Sequence, residues 1–120
     1  MMHPIYVYRN PKGESPVQDY LDELIQKKDK DSRIKFNKIQ DYIKALSRFG
    51  KAAGQLYLKR IEGDIWELRP LSDRIFFVAW YEDSFVLLHH FVKKTMKTPE
   101  REKERARKEY KDLQKRGDIS

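Results

Sequence analysis

The chain has 120 residues and no cysteine, so it can bury one compact core but has no disulfide, thiolate metal site or cysteine nucleophile. Hydrophobic residues make up 39% and aromatics 12%, which excludes wholesale disorder, and no apolar run approaches the roughly 20 residues that span a bilayer. The formal net charge is +7, and Phe85–Ser120 carries 11 Lys/Arg against six Asp/Glu, the footprint of a surface that meets a polyanion.

Met1–Tyr6 has neither the basic stretch nor the long apolar stretch of a signal peptide, so the expected location is the cytoplasm, with no membrane partner. Ile5–Tyr8 is a short β-prone run that ends at the turn cluster Asn10-Pro11-Lys12-Gly13. Ser15-Pro16 predicts a helix start, followed by Val17, Tyr20, Leu21, Leu24 and Ile25 at helical spacing. The charged stretch 26–32 breaks that period and reads as a loop. A second helix is expected from about Arg33 to Phe49, with the stripe Ile39, Tyr42, Ile43, Leu46 and Phe49, and Gly50 as its C-cap. From Leu56 the period becomes two. Leu56–Ile61, Ile65–Arg69, Arg74–Tyr81 and Phe85–Lys93 predict four strands, whose short connections favour antiparallel neighbours. Thr98-Pro99 opens a last, basic helix with a thin seam of Ala106, Tyr110 and Leu113, expected to be largely exposed and to stop near Gly117. The expected fold class is α+β in a single domain, residues 1–120: a twisted, mostly antiparallel sheet with a helical hairpin on one face.

Along Ile65–Arg69, Trp66 and Leu68 point one way, Glu67 and Arg69 the other. A four-residue loop Pro70–Asp73 sets Arg69 opposite Arg74, and a two-residue turn Asp83-Ser84 would set Arg74 opposite Lys93. Like charges directly opposed on neighbouring strands are destabilising, so such a row suits a bound anion. This register collects Trp66, Leu68, Ile75, Phe77, Ala79, Val86, Leu88 and Val92 on the core face. The other face receives Glu67, Arg69, Arg74, Phe76, Val78, Trp80, His89, Phe91 and Lys93, with Lys94 and Lys97 just beyond. Cations beside flat rings are what RNA needs, phosphates on the charges and bases on Phe76 and Phe91. Competing readings make Arg69 and Arg74 ordinary partners of Glu67 and Asp73, His89 and His90 core histidines, and Phe76, Trp80 and Phe91 a cover for the sheet's second side. Arg101 and the alternating charges around it also fit a solvated helix face.

The segments Ile65-Trp66-Glu67-Leu68-Arg69-Pro70, Arg74-Ile75-Phe76-Phe77 and Leu87–Pro99, containing Phe91-Val92-Lys93-Lys94-Thr95-Met96-Lys97-Thr98-Pro99, resemble the phage-derived HigB-like toxins of the RelE superfamily in order and spacing. The resemblance extends over nearly the whole chain. It implies a RelE-like fold, a type II toxin that is a ribosome-dependent mRNA endoribonuclease, and neutralisation by a HigA-type helix-turn-helix antitoxin. Operator DNA would then be met only through the antitoxin. It also implies a catalytic set of basic residues on the central strands, here Arg69, Arg74 and either Lys93 or Lys94. The chain departs from RelE in carrying Glu67 where RelE has a lysine, and in lacking a counterpart to the tyrosine that RelE carries early in its last helix, since Tyr110 lies much further along.

Metal-independent RNA cleavage needs a base for the 2′-hydroxyl, cations at the phosphorus and an acid for the leaving oxygen. Arginine stays charged, so Arg69 and Arg74 fit the clamp. Lys93, Lys94 or Lys97 fits the acid, or the base if crowded cations depress its pKa, and Glu67 or His89 is the other candidate base. No cofactor and no metal site is expected. The alternatives are a non-catalytic RNA- or ribosome-binding module using the same cleft, and a DNA-binding regulator reading a duplex with the last helix.

Overall fold

A computed structural model describes residues 2–117; Met1 and residues 118–120, which the expected domain includes, lie outside the described residues. The first strand, β1 (Ile5–Val7), is followed by a helical hairpin, α1 (Pro16–Gln26) and α2 (Lys30–Phe49). Ser15 caps α1 by accepting a hydrogen bond from the Gln18 amide, with Pro16 in the first turn. α2 begins three residues earlier than the apolar period suggests. Asp29 caps it, accepting from the Ser32 amide at 2.9 Å, and its first turn is polar and mostly exposed. Gly50 ends it at φ 58°, where a Cβ would lie 2.9 Å from the His3 ring, so a side chain there is excluded twice over.

A single 3-10 turn, Gly50–Ala53, leads to four strands, β2 (Leu58–Glu62), β3 (Ile65–Leu68), β4 (Asp73–Trp80) and β5 (Ser84–Val92), and then to α3 (Glu100–Arg116). Leu56, expected in the first of these strands, is instead exposed in the turn before it. The sheet order is β1-β5-β4-β3-β2, antiparallel throughout except for β1 beside β5. The α+β class and mostly antiparallel sheet are therefore as expected. Among the described residues no helix is long and apolar enough to cross a membrane.

The hairpin packs Val17, Leu21, Leu24, Ile39 and Leu46 against Leu58, Leu68, Ile75, Phe77, Phe85 and Leu87 on one face. The second face is not open. α3 lies on it through Ala106 and Leu113, covering Ile65, Phe76, Val78, Val86, Leu88 and Phe91. The expected seam is thus correct in its residues, but it closes a second core where an exposed helix was expected.

The β4–β5 register corrects the sequence reading. The turn is Tyr81–Ser84 with Glu82 and Asp83 both at φ 57°, a primed hairpin turn one residue earlier than expected. Pairing runs Phe77↔Leu87 near the turn but Phe76↔His89 beyond it, leaving Leu88 as an extra residue. A bulge of this kind breaks strand alternation. Val86 and Leu88 consequently lie under α3, not under the hairpin, while Phe85 and Leu87 take the hairpin side. Ala79 and Val92, expected in the core, are exposed. Arg74 pairs with Phe91, two residues short of Lys93, and the Lys93 amide instead bonds the Ser72 carbonyl.

Candidate functional site

At the open end of the α3 face the sheet brings several charges together. β3 pairs Leu68 with Ile75, and the next step along both strands holds Arg69 and Arg74. Glu67 lies on the same face, paired with Lys59 of β2 on one side and Phe76 on the other. Its carboxylate is 0% exposed. Arg69 Nε stands 3.9 Å and Arg74 Nε 3.8 Å from Glu67 Oε1, ion-pair distances too long for hydrogen bonds. Both Glu67 oxygens and both arginine Nε atoms are buried and make no hydrogen bond. Arg74 is pinned by its Nη1, which donates to the Leu71 carbonyl at 2.7 Å and the Asp73 carbonyl at 2.8 Å. Leu71 is able to present its carbonyl there by turning at φ 57°.

The charge balance of this cluster is decided by solvation. Burial raises the Glu67 carboxyl above its ordinary value, and Arg74, Lys93, Arg69 and Lys59, acting in that order, recover only part of the shift. Lys59 and Lys93 also line the adjoining cleft, of about 760 Å³, between β2 and the segment running from Lys93 into the first turn of α3. Arg60, Lys97, Arg101 and Lys103 complete a cationic lining in which Glu100 is the one acid. The opposite charges are used elsewhere: Arg107 of α3 bonds Glu62 at 2.7 Å and Glu100 at 2.9 Å, tying the helix to the end of β2. Cations gathered in this way are chemically suited to an anion, and the buried Glu67 carboxylate beside the two guanidiniums offsets their mutual repulsion.

The family described as Phage derived protein Gp49-like (DUF891) matches residues 20–111, about three quarters of the chain. The chain belongs to that family. It is a toxin-like family of RelE/HigB type. No curated protein gives a match. The matched span runs from α1 to the last turns of α3, and so includes every residue of the cationic cluster and its cleft.

The remaining expected site residues separate into two groups. Lys93 enters the cluster, half-buried; Lys94 is exposed and lines a different hollow with Val92 and Glu102. Lys97 and Arg101 lie on the cleft wall, Arg101 with a loose 3.7 Å pairing to Glu102. Phe76, Phe91 and His89 are not in the cleft. Phe76 and Phe91 are buried under α3, edge to face at 5.2 Å, and offer no ring to a base. His89 is fully buried between two carboxylates of α3, with Nδ1 at Glu109 and Nε2 3.2 Å from Glu102. The physical reason is shared: the covering helix occupies the space in which RNA was expected to stack.

Three cations of the cleft escape the sequence reading: Lys59, Arg60 and Lys103. Lys59 is accessible to reasoning, since the short Glu62–Asp64 connection sets β2 beside β3 and Lys59 beside Glu67. A second buried cluster also escapes it. On the hairpin face Asp73 Oδ1 accepts from Tyr20 at 2.9 Å and meets His90 Nε2 at 2.8 Å, with the Tyr20 and His90 rings stacked at 3.6 Å. Burial pushes the Asp73 carboxyl up, but the bonds from His90 and Tyr20 outweigh it and hold the carboxyl below its ordinary value. Among the described residues no group of His, Cys, Asp and Glu is arranged to hold a metal ion.

Proposed function

We propose that this protein is the toxin of a type II toxin–antitoxin pair, acting as a single cytoplasmic domain that cleaves messenger RNA on the ribosome. The observation that carries the reading is the approach of Arg69 and Arg74 to the buried Glu67, beside a cationic cleft that Lys93 lines. Family membership supports the same reading. Its partners are the ribosome with its message and a HigA-type helix-turn-helix antitoxin, through which alone it would meet operator DNA.

In this reading Arg69 and Arg74 stabilise the charge that develops on the phosphorus, Arg74 with a guanidinium already held by two carbonyls and mostly dehydrated before substrate arrives, Arg69 with a more exposed and more loosely held one. Lys93 protonates the leaving 5′-oxygen. Glu67 has the raised proton affinity that a base needs, but it lies beneath the clamp. It reaches a 2′-hydroxyl only when a substrate phosphate draws the loosely held Arg69 outward. His89 is held by α3 and takes no part. A site that requires its substrate to be so well placed gains from a ribosome that orients the message, since orientation supplies several kcal/mol of a barrier.

A second reading, an RNA- or ribosome-binding module without chemistry, is favoured by one observation: both candidate bases, Glu67 and His89, are fully buried. Mapping of message ends after brief expression separates the two. Wild type is expected to cut within translated regions, and Arg74→Ala to cut about 100-fold more slowly, the loss typical of one stabilising donor. Ribosome binding by wild type without any new message ends would establish the module and remove the nuclease.

A further inference from the structure

We infer that the buried Asp73 carboxylate, with its partners Tyr20 and His90, is a positioning group for Arg74, acting from the hairpin face of the sheet on the face where the clamp lies. The inference rests on the reading of Arg74 as a group that meets substrate, and names what keeps its guanidinium in place.

Strand alternation sets the two side chains apart. Asp73 and Arg74 are neighbours in β4, so they leave the strand on opposite faces. Asp73 is buried beneath the hairpin, and Arg74 lies beside Glu67. One short piece of main chain connects them to each other's surroundings. The Leu71 and Asp73 carbonyls both accept from Arg74 Nη1, at 2.7 and 2.8 Å. The Ser72 carbonyl accepts from the Lys93 amide at 2.9 Å, and the Pro70 carbonyl from the Asp73 amide at 3.0 Å. All four carbonyls of Pro70–Asp73 are therefore engaged, two of them on the arginine and one on the main chain of Lys93.

The middle of that turn has little packing to hold it. Leu71 turns at φ 57°, an unfavourable conformation for a residue with a Cβ, and is 53% exposed. Ser72 is exposed as well. A backbone of this kind persists only where its surroundings fix it. Asp73 is the residue that ties the turn to the hairpin core. Tyr20 of α1 donates to Asp73 Oδ1 at 2.9 Å, and His90 Nε2 of β5 lies 2.8 Å from the same oxygen. The Tyr20 and His90 rings stack at 3.6 Å, so the two partners brace one another. Asp73 Oδ2 is buried without a hydrogen bond, which leaves Oδ1 as the anchor. A displacement of Asp73 moves the carbonyls that aim Arg74, and Arg74 Nε, buried and unbonded, supplies no second hydrogen bond to resist it. Arg69 donates instead to the Gln55 carbonyl at 3.5 Å, away from this turn, and so serves as an internal reference.

The test reads the guanidiniums directly, by nitrogen-15 NMR of the arginine side chains, as the rate of rotation about the Cζ–Nε bond. Tyr20→Phe and His90→Phe each keep a ring in the stack and remove one partner of Asp73. In both, Arg74 is expected to rotate roughly fivefold faster than in wild type, as weakening of its carbonyl bonds requires, with Arg69 unchanged. Ile39→Val loosens the same hairpin core without removing a bond to Asp73, and is expected to leave Arg74 rotation as in wild type. Message cleavage is expected to fall about tenfold in the two network variants, the effect of a misplaced clamp, and to be retained in Ile39→Val. Unchanged Arg74 rotation in both network variants would overturn the inference. Equal acceleration in Ile39→Val, or of Arg69 alongside Arg74, would also overturn it, in favour of general loosening. Faster Arg74 rotation confined to the network variants, in a protein that cuts no message, would leave the positioning role standing while the nuclease reading fails.

Discussion

Glu67 and Asp73 lie six residues apart on adjacent strands of one sheet, both buried, yet their surroundings give them opposite chemistry. Asp73 faces the helical hairpin, where Tyr20 and His90 bond the same oxygen and lower its carboxyl. Glu67 faces the α3 side, where two guanidiniums approach without hydrogen-bonding it and burial raises its carboxyl. One carboxylate has been given partners by the fold and acts as structure. The other has charges nearby but no bonds, and its cations retain bonding capacity for something else. The wider faces follow the same division: the hairpin is held by a broad apolar core, whereas α3 adds a thin apolar seam to polar ties through Glu102, Glu109, Arg107 and Asp112.

The comparison is broken most severely on the Asp73 side. Asp73→Ala leaves the Tyr20 hydroxyl and the His90 ring without their acceptor in a buried site. Loss of one member of such a network costs about 3 kcal/mol, to be read as a lower urea midpoint. The wild-type contribution also has a definite pH sign. A carboxyl lowered in the fold stabilises above its unfolded value, and that stabilisation disappears as pH falls through the folded value.

Glu67 predicts the opposite sign and a smaller effect. Its carboxyl is raised in the fold, so the stabilisation it allows is present below the ordinary glutamate range and is lost as pH rises through the folded value. Glu67→Gln keeps the shape and removes the charge. The variant is expected to match or exceed wild type in urea midpoint at neutral pH, and to lose this part of the pH dependence. It is also expected to bind a short 2′-O-methyl RNA, which lacks the hydroxyl required for cleavage, several-fold more tightly, since Arg69 and Arg74 then lack a competing anion. A lower midpoint at neutral pH, with weaker RNA binding, would show that Glu67 is a structural partner of the same kind as Asp73.

Much of the frame that positions these groups is legible in the sequence. The Pro70–Asp73 connection is sufficient to set Arg69 by Arg74, and strand alternation to put Glu67 on their face. What fails has local causes. Glu82 and Asp83 adopt left-handed backbone without the Asn-Gly or Gly signature that marks a primed turn, and the Leu88 bulge has no composition of its own. Together they displace Lys93 and exchange the faces of Val86 and Leu88. α3 looks too polar to cover a sheet because its attachment depends on ion pairs and on His89, which periodicity does not register. Asp73 reads as a surface partner for Arg74, but its side chain points to the other face and only its carbonyl meets that arginine.

The smallest test isolates a single bond on the Asp73 side. Tyr20→Phe retains the ring stacked on His90 and deletes only the hydroxyl that donates to Asp73. Burial, and then the bond to Asp73, push the Tyr20 phenol above its ordinary value, so the hydroxyl is a neutral donor throughout the working pH range. The loss is therefore expected to be about 1.5 kcal/mol, the low end for a hydrogen bond to a charged acceptor that keeps a second partner, and independent of pH near neutrality. It should also move the Asp73 carboxyl upward, because one of the two bonds holding it down is gone. Acid unfolding of Tyr20→Phe should then begin at higher pH than in wild type. An unchanged acid limb would mean that His90 alone sets the charge of Asp73, and that Tyr20 contributes through its ring.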